Sequence, residues 1–573
     1  MHYMQVSPEV LSLKILNLQS GAECLETGVI RRVKCDEGKP SCQRCLSGPS
    51  RKCDGYATAT ESIPENESQG GLLLVRLPEY PDISDDELRA FQFFHEHTLT
   101  QLSGFHSCEF WDVIVRQIAR EDVAVRHALV ALAALHENFA AKGDSSSKRR
   151  TPESEHFALK QYNLAIHRHL QQIAGATLDN SDTKTLELER YLVSSLIFIC
   201  IEIIRGHFAS CMSLLKRTFG IFADLTKDIP KGQRPPSGLF EIFERQLNRL
   251  EAQSIVLIGY DAWDGQDAIS SGSQATVTAR RQPVLPAIPE AFSSATEARD
   301  CFESYMHAFT LATARQGAAA VVNPSDMDLA MSQNKGPNVY LNGFGRWSKA
   351  LDATMQNAQI NDNNASFPNE KRKEKERCAS LVLHMHRLMV STSVDLLSIQ
   401  QHPTDTDVQM SWDKYTGVFE QVVKIGESVL SPTGSRGPSS VVADPSPSTP
   451  PPKAKERPYF TLDIGVVAPL YDIARRCRDP GVRRRAIALL YSYPRQEAMY
   501  DGVLAARVAE RVVQIEETGL EDIASATDVP DWARISDVHP VFDFERKRAL
   551  LCYQRRGAHG TVKRPVEEVM DWD

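Results

Sequence analysis

Apolar residues along most of the chain recur at helical spacing. Leu88, Phe91, Phe94 and Leu99 form one stripe, and a second lies within 123–135. Such spacing predicts amphipathic helices. Further segments with this pattern cover 153–173, 186–204, 207–226, 296–320, 376–400 and 411–430. Strand-like sequence is confined to 541–544 and 550–553, so we expect a mainly α fold with one large all-helical domain over residues 86–555.

Stretches without this pattern divide the chain. Residues 57–85 are rich in Thr, Ser, Glu, Gly and Pro, which predicts a linker. Residues 266–290 and 431–457 interrupt the helical domain. Their content of Ser, Ala, Gln and Pro predicts mobile insertions. Residues 556–573 are interpreted as a C-terminal tail.

The composition is that of a globular protein with a local excess of positive charge. Of the 573 residues, 42% are hydrophobic, and the net charge is −9. Residues 31–56 instead carry seven Lys or Arg against three Asp or Glu, a local charge of +4. A basic island on an acidic protein is typical of a small nucleic-acid-binding module joined to a larger domain. The longest apolar run, 191–201, is too short to span a bilayer, so no membrane is expected as a partner.

The basic island also contains closely spaced cysteines. Cys35, Cys42, Cys45 and Cys53 follow the spacing C-x6-C-x2-C-x7-C. Thiolates two residues apart can bind one soft metal ion, for which Zn²⁺ is the usual choice. Cysteines elsewhere are scattered singly, as at 108, 200, 301 and 552, and we expect them to be reduced, buried thiols.

The cysteine-rich stretch resembles the fungal Zn2Cys6 binuclear-cluster transcription regulators. Their pattern is C-x2-C-x6-C-x5-12-C-x2-C-x6-8-C, with a basic run between the second and third cysteines. Cys35, Cys42, Cys45 and Cys53 match its last four ligands, and Pro40 lies where that family bends its linker. Parts of the helical segments resemble the same family's regulatory region: 91–94, 102–105, 110–111, 124–137, 483–490 and 501–508. The resemblance implies a zinc module at 29–56 followed by a helical regulatory domain.

The resemblance also implies how the module acts. In the family, residues at the positions of Arg31 and Arg32 read a CGG triplet in the major groove, and the arginine fork matches O6 and N7 of guanine. The module's other basic side chains are expected to contact phosphate, namely Lys34, Lys39, Arg44, Arg51 and Lys52. We therefore expect double-stranded DNA and the transcription machinery as partners, in the nucleus. No sustained heptads follow the cluster, which leaves a homodimer open.

The module departs from the family pattern at its first two ligands. The pattern requires cysteines at positions 25 and 28, where the chain has Leu25 and Gly28, and Cys24 lies one residue away. Three explanations stay open. Residues 1–28 are an atypical N-terminus from a misassigned exon boundary, or Cys24 acts as a substitute ligand, or metal-dependent DNA binding has been lost. In the last case the chain is a helical interaction or ligand-sensing protein.

Patterns typical of catalysis are absent from the sequence. There is no G-x-S-x-G, no phosphate-binding glycine loop and no dinucleotide fingerprint. The closely spaced histidines do not form HExxH, and they are interpreted as surface or helix-packing residues: His95, His97, His136, His167 and His169. We therefore expect a DNA-binding regulator and not an enzyme.

Overall fold

The structure is a computed structural model and is mostly helical, which confirms the prediction of a mainly α protein. It describes residues 83–106, 108–141, 152–175, 181–226, 238–258, 285–322, 338–362, 370–400, 408–431, 457–544, 546–556 and 563–572. The predicted zinc module at 29–56 lies outside these residues. No helix in the described part is both long and apolar enough to cross a membrane.

The longer helices are numbered α1 to α14 in chain order. They are α1 Asp85–Phe93, α2 Val115–Glu121, α3 Val123–Ala140, α4 Pro152–Gly175, α5 Ser181–Arg205, α6 Phe208–Thr226, α7 Gly238–Ile258, α8 Ala295–Val322, α9 Asn338–Asp362, α10 Glu370–Gln400, α11 Thr416–Leu430, α12 Val467–Arg476, α13 Pro480–Ser492 and α14 Gly502–Glu517. Short helical turns of α, π or 3₁₀ type are Phe94–Thr98, Leu99–Leu102, Phe110–Ile114, Val408–Ser411, Trp412–Tyr415, Ala526–Asp528 and Asp531–Ala533.

Local sequence explains where several helices begin. Ser84 and Glu87 form a capping box at α1, in which each side chain bonds the other residue's backbone N–H. The Asp122 carboxylate accepts from Val125 N at 3.0 Å at the start of α3. Asp501 caps α14 in the same way. These side chains satisfy N–H groups that have no partner inside the helix.

Buried apolar residues form four cores in the described part of the chain. The first core joins helices α1 to α7, and it surrounds α3, which is buried without interruption from Ala128 to His136. The second core lies among α10 to α14. The third joins α8, α9 and α10 with the segment before α8. The fourth lies between α14 and a C-terminal sheet.

Among the described residues, two small sheets accompany the helices. Strand β1 Tyr459–Thr461 pairs parallel with β2 Arg495–Glu497, which pairs antiparallel with β3 Tyr500–Asp501. The C-terminal sheet has the order β4 Ile535–Asp543, β5 Arg548–Arg556 and β6 Lys563–Asp571, with antiparallel neighbours.

The prediction of an all-helical domain followed by a tail does not hold at the C-terminal end. The strand-like segments 541–544 and 550–553 do lie largely in β4 and β5. Strand β6, however, occupies residues that were interpreted as a tail. Its Val566 and Met570 pack against the fourth core, whereas Val569 is 62% exposed. Because few of its residues are apolar, β6 depends on pairing with β5, which its own sequence does not reveal.

One predicted insertion is partly packed. Residues 285–290 of the segment 266–290 are described, and Ile288 is buried in the third core. The Tyr305 hydroxyl donates to the Pro286 carbonyl at 3.3 Å. These contacts correct the expectation of mobility for this end of the insertion. Residues 266–284, and 432–456 of the second insertion, lie outside the described residues.

Candidate functional site

The residues predicted to bind zinc and DNA all fall within 24–53, outside the described residues. The structure therefore places none of them, and their roles stay predictions. In the ranges that it does describe, no group of three or more His, Cys, Asp or Glu side chains could hold a metal ion.

The described cysteines are reduced. Each of the seven is a free thiol, and five of them are buried. Cys200 and Cys211 are inaccessible to solvent, and burial raises the pKa of both thiols above the ordinary value. They behave as small apolar core residues, as predicted for cysteines outside the module, whereas Cys552, which was also expected to be buried, is half-buried.

The histidines pack against helices. His97 is exposed and contacts the Phe93 ring, with 4.8 Å between ring centroids. His169 is buried and stacks on Tyr191, whereas His167 is exposed on the same helix. These positions support the interpretation of surface and packing residues.

His136 is a buried histidine that links three elements of the first core. Gln101 Oε1 accepts from Phe460 N at 2.8 Å and lies 3.0 Å from His136 Nε2, so Nε2 carries the ring proton. The other ring nitrogen, Nδ1, then accepts from the Thr98 hydroxyl at 2.9 Å. Burial, together with the nearby His97, lowers the pKa of His136 to about 3. The ring is therefore neutral in the folded protein at neutral pH.

This neutral ring makes the protein sensitive to acid. An unfolded histidine has a pKa of about 6.5, so unfolding takes up a proton between that pH and the lower folded pKa. Stability from this group is fully present above pH ~6.5 and is lost as the pH falls toward the folded pKa. Lowering the pH from 7 to 5 should decrease the free energy of unfolding by about 2 kcal/mol through His136 alone.

Urea unfolding of the whole chain at pH 7 and pH 5 checks this value. In His136→Gln the difference between the two pH values should shrink by about 2 kcal/mol. His156 is exposed, so His156→Gln serves as the control and should leave the difference unchanged. An unchanged pH dependence in His136→Gln would contradict the assignment.

A buried cluster of charged side chains lies at the loop after β1. Asp463 is its centre, and its side chain is 2% exposed. His106 Nδ1 lies 2.8 Å from Asp463 Oδ2. Arg299 Nη1 donates to Asp463 Oδ1 at 3.0 Å, and Arg249 Nη1 lies 3.7 Å from the same oxygen. We call Asp463, His106, Arg249, Arg299, Asp300 and Glu303 the Asp463 cluster.

Positive charge balances this buried carboxylate. Burial alone would raise the pKa of Asp463, but His106 and Arg299 together lower it well below the ordinary value. The arginines have acidic partners of their own. Arg249 forms a fork with Glu303 through bonds of 2.6 and 2.7 Å, and Arg299 Nη2 donates to Asp300 at 2.6 Å. Asp463, His106, Arg249 and Arg299 are buried, whereas Asp300 and Glu303 are half-buried at the edge of the cluster. Because these groups are bonded to one another, the cluster is a structural ion network.

Glycines allow the backbone to approach this loop closely. Gly104 has φ of +59°, and a Cβ added there would lie 2.5 Å from Asp463 Cβ. On the other side of the loop, a Cβ at Gly465 would overlap the Glu497 carboxylate. That carboxylate accepts from the backbone N–H groups of Val466 and Val467, at 3.1 and 2.9 Å. Close contact with Gly104 on one side and hydrogen bonds to Glu497 on the other thus fix the position of the loop.

A second buried charge cluster joins α13, α14 and the C-terminal sheet. Glu516 accepts from Arg478 Nη2 at 2.7 Å and from Arg483 Nη2 at 3.0 Å. It also accepts from Ile535 N, at the start of β4, at 3.0 Å. All three charged side chains are 0% exposed. Burial would raise the pKa of Glu516, but the two arginines lower it. We call these three residues the Glu516 cluster.

Sequence reasoning did not find either cluster. Asp463 and His106 are 357 positions apart, and Asp463 and Arg299 are 164 apart. No local pattern marks such pairs. The sequence offered only a weak indication of the two clusters, namely that Asp463 and Glu516 are acidic residues that follow apolar residues.

Comparisons with known proteins point to one class. The chain is 25% identical, over 624 aligned positions, to the aspercryptin biosynthesis cluster-specific transcription regulator atnN of Emericella nidulans, covering 95% of this chain and 94% of that protein. It is also 25% identical over 201 positions to the transcription regulator lscL of Purpureocillium lilacinum, covering 34% of this chain and 46% of that one. Neither a protein-family model nor a solved structure matches the chain. The chain is therefore similar to one transcription regulator over almost its whole length and to a second over about a third of it.

Proposed function

We propose that this protein is a zinc-dependent, sequence-specific DNA-binding regulator of RNA polymerase II transcription that acts in the nucleus. One observation carries the proposal: the match to a transcription regulator covers 95% of this chain and 94% of the relative.

The cysteine-rich stretch is the proposed DNA-binding module. Thiolate sulfurs are the donors that Zn²⁺ prefers, and the ligands are Cys35, Cys42, Cys45 and Cys53, with Cys24 as a substitute for a missing ligand. Zinc supplies the folding free energy that so short a segment lacks, because it has no core of its own. Arg31 and Arg32 read the guanines of CGG-type half-sites, and the module's other basic side chains bind phosphate.

The helical body is the proposed regulatory part. The chain outside residues 31–56 carries a net charge of −13, since the whole chain carries −9 and residues 31–56 carry +4. This net charge does not favour contact with a DNA backbone, so we assign DNA contact to the N-terminal module. We assign the body to contacts with the transcription machinery. A homodimer fits a protein that reads paired half-sites.

A second candidate function rests on Leu25 and Gly28, which stand where the family pattern has two metal ligands. If the module cannot bind zinc, the chain is a helical interaction or ligand-sensing protein that no longer reads DNA. The zinc content of the purified full-length chain separates the two candidates. Two ions per chain exclude this second candidate, and none favours it. One ion indicates a half-cluster of Cys42, Cys45 and Cys53 with either Cys35 or Cys24.

Gel-shift titration with a CGG-containing duplex and a scrambled duplex tests the proposed readout. Arg32→Ala should weaken binding to the CGG duplex by roughly 5- to 150-fold, equivalent to about 1–3 kcal/mol, and should leave the scrambled duplex unchanged. Lys52→Ala should weaken both duplexes alike, because a phosphate contact carries no sequence information.

The matched control is Arg546→Ala, which removes an arginine that is 70% exposed on the turn between β4 and β5. It should change neither affinity. If the wild-type chain bound both duplexes equally and Arg32→Ala left both unchanged, the proposed readout would be wrong.

A further inference from the structure

The loop after β1 passes between three of the four cores. Phe460 and Leu462 belong to the first core. Ile464 packs against the third core. Val466 and Val467 belong to the second core. A segment of eight residues therefore contributes apolar side chains to all three, and Asp463 lies in the middle of it.

The partners of this loop come from the elements that build these cores. Arg249 lies on α7, between Leu247 and Leu250 of the first core. Arg299 lies on α8, next to Ala298 of the third core. Both donate to the loop: Arg299 to Asp463, and Arg249 to the Leu462 carbonyl at 3.3 Å. One arginine from the first core and one from the third core thus lie against the same buried carboxylate, that of Asp463.

The second core is connected to the same loop by polar contacts. His386 lies on α10, next to Met385 of the second core, and its Nε2 lies 2.8 Å from the Gly465 carbonyl oxygen. Glu497 binds the backbone of Val466 and Val467 and also pairs with Arg495 at 2.9 Å. Apolar contacts are non-directional, whereas these hydrogen bonds require particular positions of the two partners.

Buried ion networks are poor sources of net stability, because removing charges from water offsets their attraction. They instead specify geometry, since a buried carboxylate that loses its partners is strongly unfavourable. A shift of α7, α8 or the loop around His106 changes the partners of the same carboxylate. We infer that the Asp463 cluster, together with the contacts of His386 and Glu497 to the same loop, is a coupling device that makes the first, second and third cores of the body move and unfold as one unit. This inference goes beyond the proposed function and does not depend on DNA binding.

Hydrogen exchange followed by mass spectrometry, on the full-length chain across a urea series, tests the coupling. Protection of α3 reports on the first core, protection of α9 reports on the third core, and protection of α13 reports on the second core. In the wild type the three helices should lose protection at one urea concentration. In Asp463→Asn their midpoints should separate by roughly 0.5 M urea or more.

The matched control is Glu516→Gln, which alters an equally buried carboxylate outside the loop. In this variant α3 and α9 should still lose protection together. The inference is overturned if Asp463→Asn shifts all three midpoints down together, or if the wild-type helices already lose protection separately.

Arg299→Lys provides a second variant in case Asp463→Asn does not fold. It keeps the positive charge but removes the guanidinium geometry that joins Asp463 to Asp300. The separation should lie between those of the wild type and Asp463→Asn. Coincident midpoints in Arg299→Lys, where Asp463→Asn fails to fold, would also overturn the inference.

Discussion

Replacing Glu516 by glutamine is expected to lower the free energy of unfolding by about 3–5 kcal/mol. Glutamine has nearly the same shape but no charge, so Arg478 and Arg483 would both lose the buried charge of Glu516, and Arg483 would keep only Glu517 at 3.8 Å. The amide also offers only one acceptor oxygen, whereas the carboxylate uses one oxygen for Arg478 Nη2 and Ile535 N and the other for Arg478 Nε and Arg483 Nη2.

Urea unfolding of the full-length chain, followed by circular dichroism, measures this loss. Glu420→Gln is the matched control, because Glu420 pairs with Lys424 on an exposed face of α11 at 2.8 Å. Surface pairs of this kind contribute little to stability, because water screens both charges. A Glu516→Gln protein within 1 kcal/mol of the wild type would show that the cluster tolerates an unbalanced charge.

Many helices of the body were predictable from their own apolar stripes, whereas others, such as α7 and α9, were not among the predicted segments. Helices α4, α5, α6, α8, α10 and α11 lie where the spacing predicted them, with ends that differ by a few residues. Helix α3 was the clearest case, since it is apolar on nearly all sides and its cap, Asp122, is adjacent in sequence. Local information is sufficient for such elements.

The sheets and charge clusters were not predictable, because they depend on partners that are distant in sequence. Strands β2 and β3 have three and two residues, which is too short for an alternation pattern. Strand β6 carries more charged than apolar residues and is held by β5 and by the pair of Arg511 with Glu568, at 2.7 Å. His106 and Arg299 come close to Asp463 only in the folded chain.

The proposed DNA-binding module presents the opposite case. Its ligands and its basic side chains lie close together in sequence, so spacing and a family resemblance were enough to predict their roles. The structure describes none of these residues. The similarity to transcription regulators rests on the comparisons with known proteins. Zinc dependence and the choice of bases therefore have to be measured in solution.

Removing zinc should abolish specific DNA binding. If the module binds zinc as proposed, so short a segment should lose its folding free energy together with its metal, and Arg31 and Arg32 should then no longer be presented to guanine. Specific sites are bound at least ~10³-fold more tightly than non-specific DNA, so the affinity for a CGG duplex should fall by about that factor.

The most direct measurement is the affinity of the full-length protein for a CGG-containing duplex before chelation, after chelation and after Zn²⁺ is restored, at one fixed salt concentration. The account predicts that binding to this duplex falls to the level of the scrambled duplex and then recovers. An affinity that the chelator leaves unchanged, while the metal is shown to be gone, would contradict it.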